Sequence, residues 1–331
     1  MGAAGGALFV ALGLPLPWLL GAMLTVTAAT LAGLRVEIRP PLRLAMLVVI
    51  GVLIGSAFDR GMLAELDRWI WSLAALPLYV VGIGGAMMVY LQRFAGFDRA
   101  TAYFAAAPGG LSEMILLSDR FGADVRRVSL VHALRVLLLV TAIPVVVDQL
   151  GLLAPAPPRQ APSSLADGLI LLAAGVAGVV AARLVRLPNA VLLGPMLASA
   201  VVHVVGWTDS HPPGAVVACA QVVVGAAVGT RFTGLGFGEV VRTLGHGAVM
   251  TAMMVALGAG FALVIHPLAG LALLPLLIAY VPGGVAEMAL VALALGIDPA
   301  FVTTHHAVRI ALVVGLASVL FARVVPAAAR R

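Results

Sequence analysis

Pro108-Gly109-Gly110-Leu111-Ser112-Glu113-Met114 returns 174 positions later as Pro282-Gly283-Gly284-Val285-Ala286-Glu287-Met288. Helix breakers do not belong in apolar sequence, where only an unbroken helix satisfies every backbone group by itself. At the same offset Asp124, His132 and Arg135 return as Asp298, His306 and Arg309. A polar constellation duplicated inside lipid-soluble stretches points to a binding site built from two homologous halves.

The surroundings of these motifs are those of a membrane chain. Of 331 residues, 62% are hydrophobic and 10% charged, with a mean hydropathy of +1.13. No single soluble core hides so much apolar surface, and many stretches approach the 18 or so residues that cross a bilayer. The fold class expected is an all-α polytopic membrane protein. Cys219 stands alone, which excludes an intramolecular disulfide and a cysteine metal site. All 20 cationic residues are arginine, and the net charge of +6 gathers in no basic run suited to nucleic acid. The charges sit at the ends of apolar segments, as topology signals do. The amino terminus lacks the cationic region and small-residue cleavage site of a secretory leader.

The duplication divides the chain into a first repeat (1–150), a linker (151–166) rich in proline (Pro155, Pro157, Pro158, Pro162), and a second repeat (167–331). Apolar segments a to f are expected at about 2–13, 16–33, 42–58, 69–92, 99–118 and 127–147. In the second half they fall at 168–185, 189–206, 214–230, 243–265, 268–296 and 300–322. Leu14-Pro15 with Leu19-Leu20-Gly21-Ala22-Met23-Leu24 matches Leu187-Pro188 with Leu192-Leu193-Gly194-Pro195-Met196-Leu197. Gly51 and Gly55 match Gly225 and Gly229, a spacing that serves close helix packing. The first segment a departs from its counterpart, since about a dozen residues before Pro15 are too few to cross ~30 Å of hydrocarbon as a helix.

Arginine placement favours one topology. Let segments a, b, c, d and f cross while e dips in and returns. Each repeat then crosses an odd number of times, so the second is inverted. Fifteen arginines (Arg35, Arg39, Arg43, Arg93, Arg99, Arg120, Arg126, Arg127, Arg183, Arg186, Arg231, Arg242, Arg323, Arg330 and Arg331) then share one side, against Arg60, Arg68 and Arg159 on the other. If e crosses instead, the same residues split evenly. Cytoplasmic loops carry the arginine excess, so the re-entrant version is preferred and both termini are cytoplasmic. Two Pro-Gly-Gly tips would then meet near the midplane from opposite sides.

Where Pro108 and Pro282 break the helix, Gly109, Gly110, Gly283 and Gly284 would offer free N–H groups and helix amino termini to a ligand. Glu113 and Glu287 would hold Na⁺ or a proton, or cap the helix that follows. His132 with Arg135, and His306 with Arg309, share a face of helix f. An arginine ~14 Å into a span costs ~3 kcal/mol to insert, which calls for a return: pairing with Glu113 or Glu287, or an anionic substrate. Asp124 and Asp298 read as caps of helix f. His203, His211, His246 and His266 fall near segment ends, where solvated or interfacial roles are expected. No catalytic residue, metal site or cofactor motif is recognised.

On its two Leu-Pro…Leu-Leu-Gly-x-Met-Leu elements and two Pro-Gly-Gly-x-x-Glu-Met elements, nearly the whole chain resembles the membrane AbrB duplication family. These are bacterial inner-membrane proteins that carry labels of ammonia monooxygenase or AbrB-family regulator. The resemblance implies two copies of one hydrophobic module and a link to regulation of gene expression. The implied shape is similar to that of secondary transporters with inverted repeats, and this likeness is one of architecture alone.

The expectation is therefore a carrier rather than an enzyme: a secondary transporter or exporter of a small organic anion coupled to H⁺ or Na⁺. Arg135 and Arg309 would hold the anion, Glu113 and Glu287 the coupling ion, and His132 and His306 would tune or relay protons. The partners expected are that solute, its coupling ion and the bilayer, without nucleic acid; a homodimer stays open. A membrane regulator without flux is the alternative, and a membrane oxidoreductase a more distant one.

Overall fold

The computed structural model describes residues 1–59, 61, 65–152, 164–234 and 237–325, and every regular element among them is a helix. In chain order these are α1 (Gly2–Ala11), α2 (Pro17–Leu31), α3 (Pro40–Gly55), α4 (Leu66–Ala74), α5 (Leu76–Phe94), α6 (Arg99–Ala106), α7 (Leu111–Arg120) and α8 (Val125–Gln149). The second half supplies α9 (Leu165–Leu184), α10 (Ala190–Val205), α11 (Gly214–Gly229), α12 (Phe237–Ala269), α13 (Leu273–Tyr280), α14 (Val285–Ala294) and α15 (Pro299–Val324). The linker prolines, Arg60, Arg159, Arg330 and Arg331 lie outside the described residues, as do the side chains of Arg242 and Arg323.

Six helical stretches among the described residues are long and apolar enough to cross a membrane, which makes the chain a multi-pass membrane protein. The shorter apolar helices include α1, α2, α3 and α10. α1 has 10 residues, about 15 Å of helix, against 20 in its counterpart α9. α2 and α10 start late for the same local reason. Each follows a Leu-Pro pair and is preceded by a non-glycine residue in the left-handed region, Leu16 (φ 46°) and Asn189 (φ 50°). That conformation is costly for a side-chain-bearing residue, so its recurrence at matched positions marks a structural feature of the repeat.

Two compact units emerge, and they cut across the repeats. The first comprises 1–67, 140–234 and 286–303; the second comprises 68–139, 235–285 and 304–331. The first thus gathers segments a, b and c of both halves, and the second gathers d with most of e and f.

In the first unit the helices pack through glycine. A Cβ on Gly55 of α3 would run into the Met196 carbonyl of α10, and one on Gly225 of α11 into the Leu19 carbonyl of α2. The glycine pair of each repeat therefore seats on the Leu-Leu-Gly-x-Met-Leu helix of the other, an exchange made in both directions. Within each half, Gly21 meets the backbone of Gly5 and Gly194 that of Gly178 in the same way. Close approach of backbones without side-chain bulk is how helices associate when lipid removes the hydrophobic incentive.

His203 differs from the expected interfacial role. It is buried, with Nδ1 2.7 Å from the Ser199 carbonyl and Nε2 2.9 Å from that of Ser210. It ties the end of α10 to the loop before α11.

Candidate functional site

Both Pro-Gly-Gly motifs break a helix. α6 ends at Ala106 and α7 begins at Leu111; α13 ends at Tyr280 and α14 begins at Val285. The first break folds the chain back on itself. Thr101, in the first turn of α6, accepts the backbone N–H of Asp124, beyond the end of α7, at 2.9 Å. Phe104 of α6 likewise stacks on Phe121 at 5.7 Å between centroids.

A half-helix that ends inside an apolar unit leaves its last carbonyls without helical partners. Here His132 and Arg135 of α8 supply them. His132 Nε2 lies 2.9 Å from the Phe104 carbonyl, and Arg135 reaches the Ala107 carbonyl through Nη1 and the Gly109 carbonyl through Nη2, both at 3.2 Å. Arg135 Nη2 also lies 2.9 Å from His132 Nδ1. The second half repeats the arrangement. His306 Nε2 meets the Ile278 carbonyl at 3.1 Å, Arg309 meets Val281 at 3.3 Å and Gly283 at 3.1 Å, and its Nη2 stands 3.4 Å from His306 Nδ1.

The bonding fixes the imidazole tautomers. A guanidinium has only hydrogens to give, so Nδ1 presents its lone pair; a carbonyl only accepts, so Nε2 carries the hydrogen. Both rings are neutral in this arrangement, and no ring lone pair is left over for a proton or a metal.

Gly109 and Gly110 are needed for proximity and not for dihedral freedom. No positive φ occurs at Gly109, Gly110, Gly283 or Gly284. A Cβ on Gly109 would lie 3.0 Å from Met114 Cε and from Val313 Cγ1. At Gly110 the intruding atom is Oε2 of Glu113, whose carboxylate curls back over the N-cap of its own helix. Glu113 at the third position of α7 is placed as a capping-box glutamate is.

Neither arginine pairs with a glutamate. Arg135 and Arg309 are 1% and 0% exposed, no carboxylate among the described residues reaches either guanidinium, and both Nε atoms lack a partner. The pairing with Glu113 or Glu287 that sequence raised is replaced by bonds to backbone carbonyls. Glu287 feels instead the charges of Arg43 and Arg231 within the first unit.

The two breaks converge within the second unit. Gly110 packs against Ile310 and Gly109 against Val313, on the helix that carries Arg309. The charges of Arg135 and Arg309 act on each other, and both act on the Tyr79 hydroxyl.

Tyr79 belongs to a network that sequence reasoning passed over. Its hydroxyl donates to the Tyr280 carbonyl at the end of α13. The Tyr280 hydroxyl donates to the Ser72 carbonyl at 2.7 Å, and His305 Nε2 meets Ser72 Oγ at 2.8 Å. The signal was present: tyrosines, a serine and an unduplicated histidine in apolar segments need partners once buried. Asp124 and Asp298 cap as expected, accepting from the N–H groups of Arg127 at 3.0 Å and Ala300 at 2.8 Å. Among the described residues no group of three or more histidine, cysteine or acidic side chains is placed to hold a metal.

The duplicated broken helices, cradled by duplicated His-x-x-Arg pairs in an all-helical membrane chain, define a two-module membrane protein. The family described as "Transition state regulatory protein AbrB" matches residues 18–325. The chain belongs to this AbrB family. It is 29% identical over 347 residues to "Uncharacterized protein YhjN" of Bacillus subtilis (strain 168), an alignment covering 95% of this chain and 88% of that protein. It is 27% identical over 308 residues to "Putative regulator AbrB" of Escherichia coli (strain K12), covering 91% and 88% respectively.

Proposed function

We propose that the chain is a secondary transporter of a small organic anion, with its site at the two Pro-Gly-Gly breaks. The observation that carries this reading is the pair of buried guanidiniums, one from each repeat, brought together in one unit with no carboxylate among the described residues to neutralise either. Carbonyls at a half-helix end offset part of each charge. The uncompensated remainder, with the amino terminus of α7 in the same unit, favours an anion beside the two arginines.

On this reading the repeats are inverted and the breaks are re-entrant hairpins that meet near the midplane. The chain lies in a bacterial inner membrane with both termini cytoplasmic. The glycine-packed first unit acts as scaffold, and the second carries the substrate-binding arginines. Glu113 and Glu287 bind the coupling H⁺ or Na⁺; His132 and His306 orient the arginines. Backbone irregularity at such depth is tolerated only where protein or water surrounds it, as an aqueous site provides.

The test is uptake into proteoliposomes under an imposed proton or sodium gradient, scanned over radiolabelled short-chain mono- and dicarboxylates. The expected result is gradient-dependent uptake that falls at least tenfold in Arg135→Gln and in Arg309→Gln. Uptake unchanged in both variants would remove the anion assignment.

The printed name of the Escherichia coli relative favours a second reading, a membrane regulator that binds its ligand without moving it. It predicts saturable binding with no flux, and a partner that co-purifies through the arginine-rich loops.

A further inference from the structure

A cavity of about 410 Å³ lies in the second unit, lined by residues away from both breaks. Its walls come from the end of α5, the start of α8 and the stretch of α12 beginning at Thr243, where three candidate membrane spans begin or end. Its floor is apolar, formed by Leu91, Leu130 and Val131, and its polar lining is Arg127, Thr243 and His246, with no carboxylate among the lining residues.

Each polar group has a donor to spare. Arg127 meets Asp124 through Nε alone, at 3.4 Å, in a pair whose side chains are about half exposed, so an incoming anion can replace it. Its guanidinium lies 5.4 Å from the Phe97 ring, which holds the plane while leaving both Nη atoms unpartnered among the described residues. The Tyr90 hydroxyl lies 3.2 Å from His246 Nδ1. With that hydroxyl as donor, the ring carries its own hydrogen on Nε2, for which no described residue is an acceptor. Arg127 precedes Arg135 by eight residues on α8, about 12 Å along the axis.

We propose that this cavity binds an oxyanion, a carboxylate or a phosphate group, held by Arg127, Thr243 and His246 where the helices leave the apolar layer. A fork of guanidinium donors over an apolar floor suits a compact anionic head with a short hydrocarbon attached. If the transport reading holds, the cavity is an outer station for the substrate of Arg135; its oxyanion binding does not depend on that reading.

The experiment uses the full chain in neutral detergent at constant ionic strength. Apparent affinity is read from the ligand-induced rise in thermal midpoint for inorganic phosphate, acetate, dihexanoyl phosphatidylglycerol and dihexanoyl phosphatidylcholine. Phosphate, acetate or phosphatidylglycerol is expected to stabilise the protein, and phosphatidylcholine not. Arg127→Gln and Thr243→Val should each weaken that response about tenfold while the ligand-free midpoint stays in place. Neighbouring Arg126→Gln removes the same charge outside the cavity and should leave it intact. A response to the small anions marks a free-solute site, and a response confined to phosphatidylglycerol marks a lipid headgroup site; either supports the proposal. No response to any probe, an equal response to phosphatidylcholine, or equal losses in Arg126→Gln and Arg127→Gln would overturn it. Because Arg135 is untouched, uptake by the variants at saturating substrate separates failure of this site from failure of the transport reading.

Discussion

Arg135 Nη2 lies 3.2 Å from the carbonyl oxygen of Gly109, two residues past the carbonyl of Ala107 that the same guanidinium holds through Nη1. One planar fork spans both. A lysine at this place keeps the charge but is a point donor on a flexible stem and cannot hold both carbonyls and His132 together. Arg135→Lys should therefore destabilise the fold-back by about 2–4 kcal/mol, from the loss of one or two charged hydrogen bonds. Hydrogen exchange at residues 107–111 is the readout, and unchanged protection there would contradict the role assigned to the fork.

The two glycines of the first break should respond differently to the same change. Gly109→Ala places a methyl 3.0 Å from Met114 and from Val313, and packing of this kind costs about 1–3 kcal/mol when the neighbours cannot yield. Adding Val313→Ala should restore much of the lost thermal midpoint. Gly110→Ala meets chiefly the carboxylate of Glu113, which can swing aside, and beyond it the terminal methyl of Ile310 at 3.3 Å. Its stability should hold while any coupling-ion dependence of uptake weakens.

In the scaffold the prediction is harsher. Cβ atoms on Gly55 and Gly225 would collide with backbone carbonyls, of Met196 and Leu19, which cannot rotate away. Gly55→Leu and Gly225→Leu should each lower the thermal midpoint in detergent severely and by similar amounts, because each breaks one half of the same exchange. A large effect in one and none in the other would show that the halves do not depend on each other in this way.

Asp298 carries a pH signature. Burial pushes its carboxyl above its ordinary 3.8, its hydrogen bonds from Ala300 and Phe301 pull it back, and the negative charges of Glu65 and Asp59 push it up again. The folded chain then binds more protons than the unfolded one between 3.8 and the raised value, so stability falls as pH climbs through that window. Asp298→Asn retains a capping side chain and removes the charge. The variant should match the wild type in acid and exceed it at neutral pH, as read by thermal midpoint against pH. A gap that stays constant with pH would exclude the effect.

The element boundaries were legible because apolar length and glycine or proline punctuation are local. Segment f was read at 127–147 and 300–322, and the helices run Val125–Gln149 and Pro299–Val324. The breaks and the His-x-x-Arg pairs were legible because they recur. Two things were hidden. Arg135 and Arg309 bond to carbonyls, which every residue has, so no sequence pattern names Ala107 or Val281 as the partner. The exchange of glycine pairs between halves was hidden for a related reason: Gly51 and Gly55 show that some helix approaches, but not that it is α10 and not a neighbour in their own repeat. Tyr79 and Tyr280 could have been found, since each hydroxyl had to be satisfied in an apolar interior.

The central claim is that two broken helices present uncompensated positive charge to a hydrated site. Cys219 is the single cysteine, so Cys219→Ala gives a background free of thiols, and Ser112→Cys then places one reporter in the first turn of α7. The rate of modification by a small anionic methanethiosulfonate should exceed that by its cationic counterpart, and Arg135→Gln or Arg309→Gln should erase the difference. A thiol that reacts with neither reagent, or faster with the cation, would contradict the account.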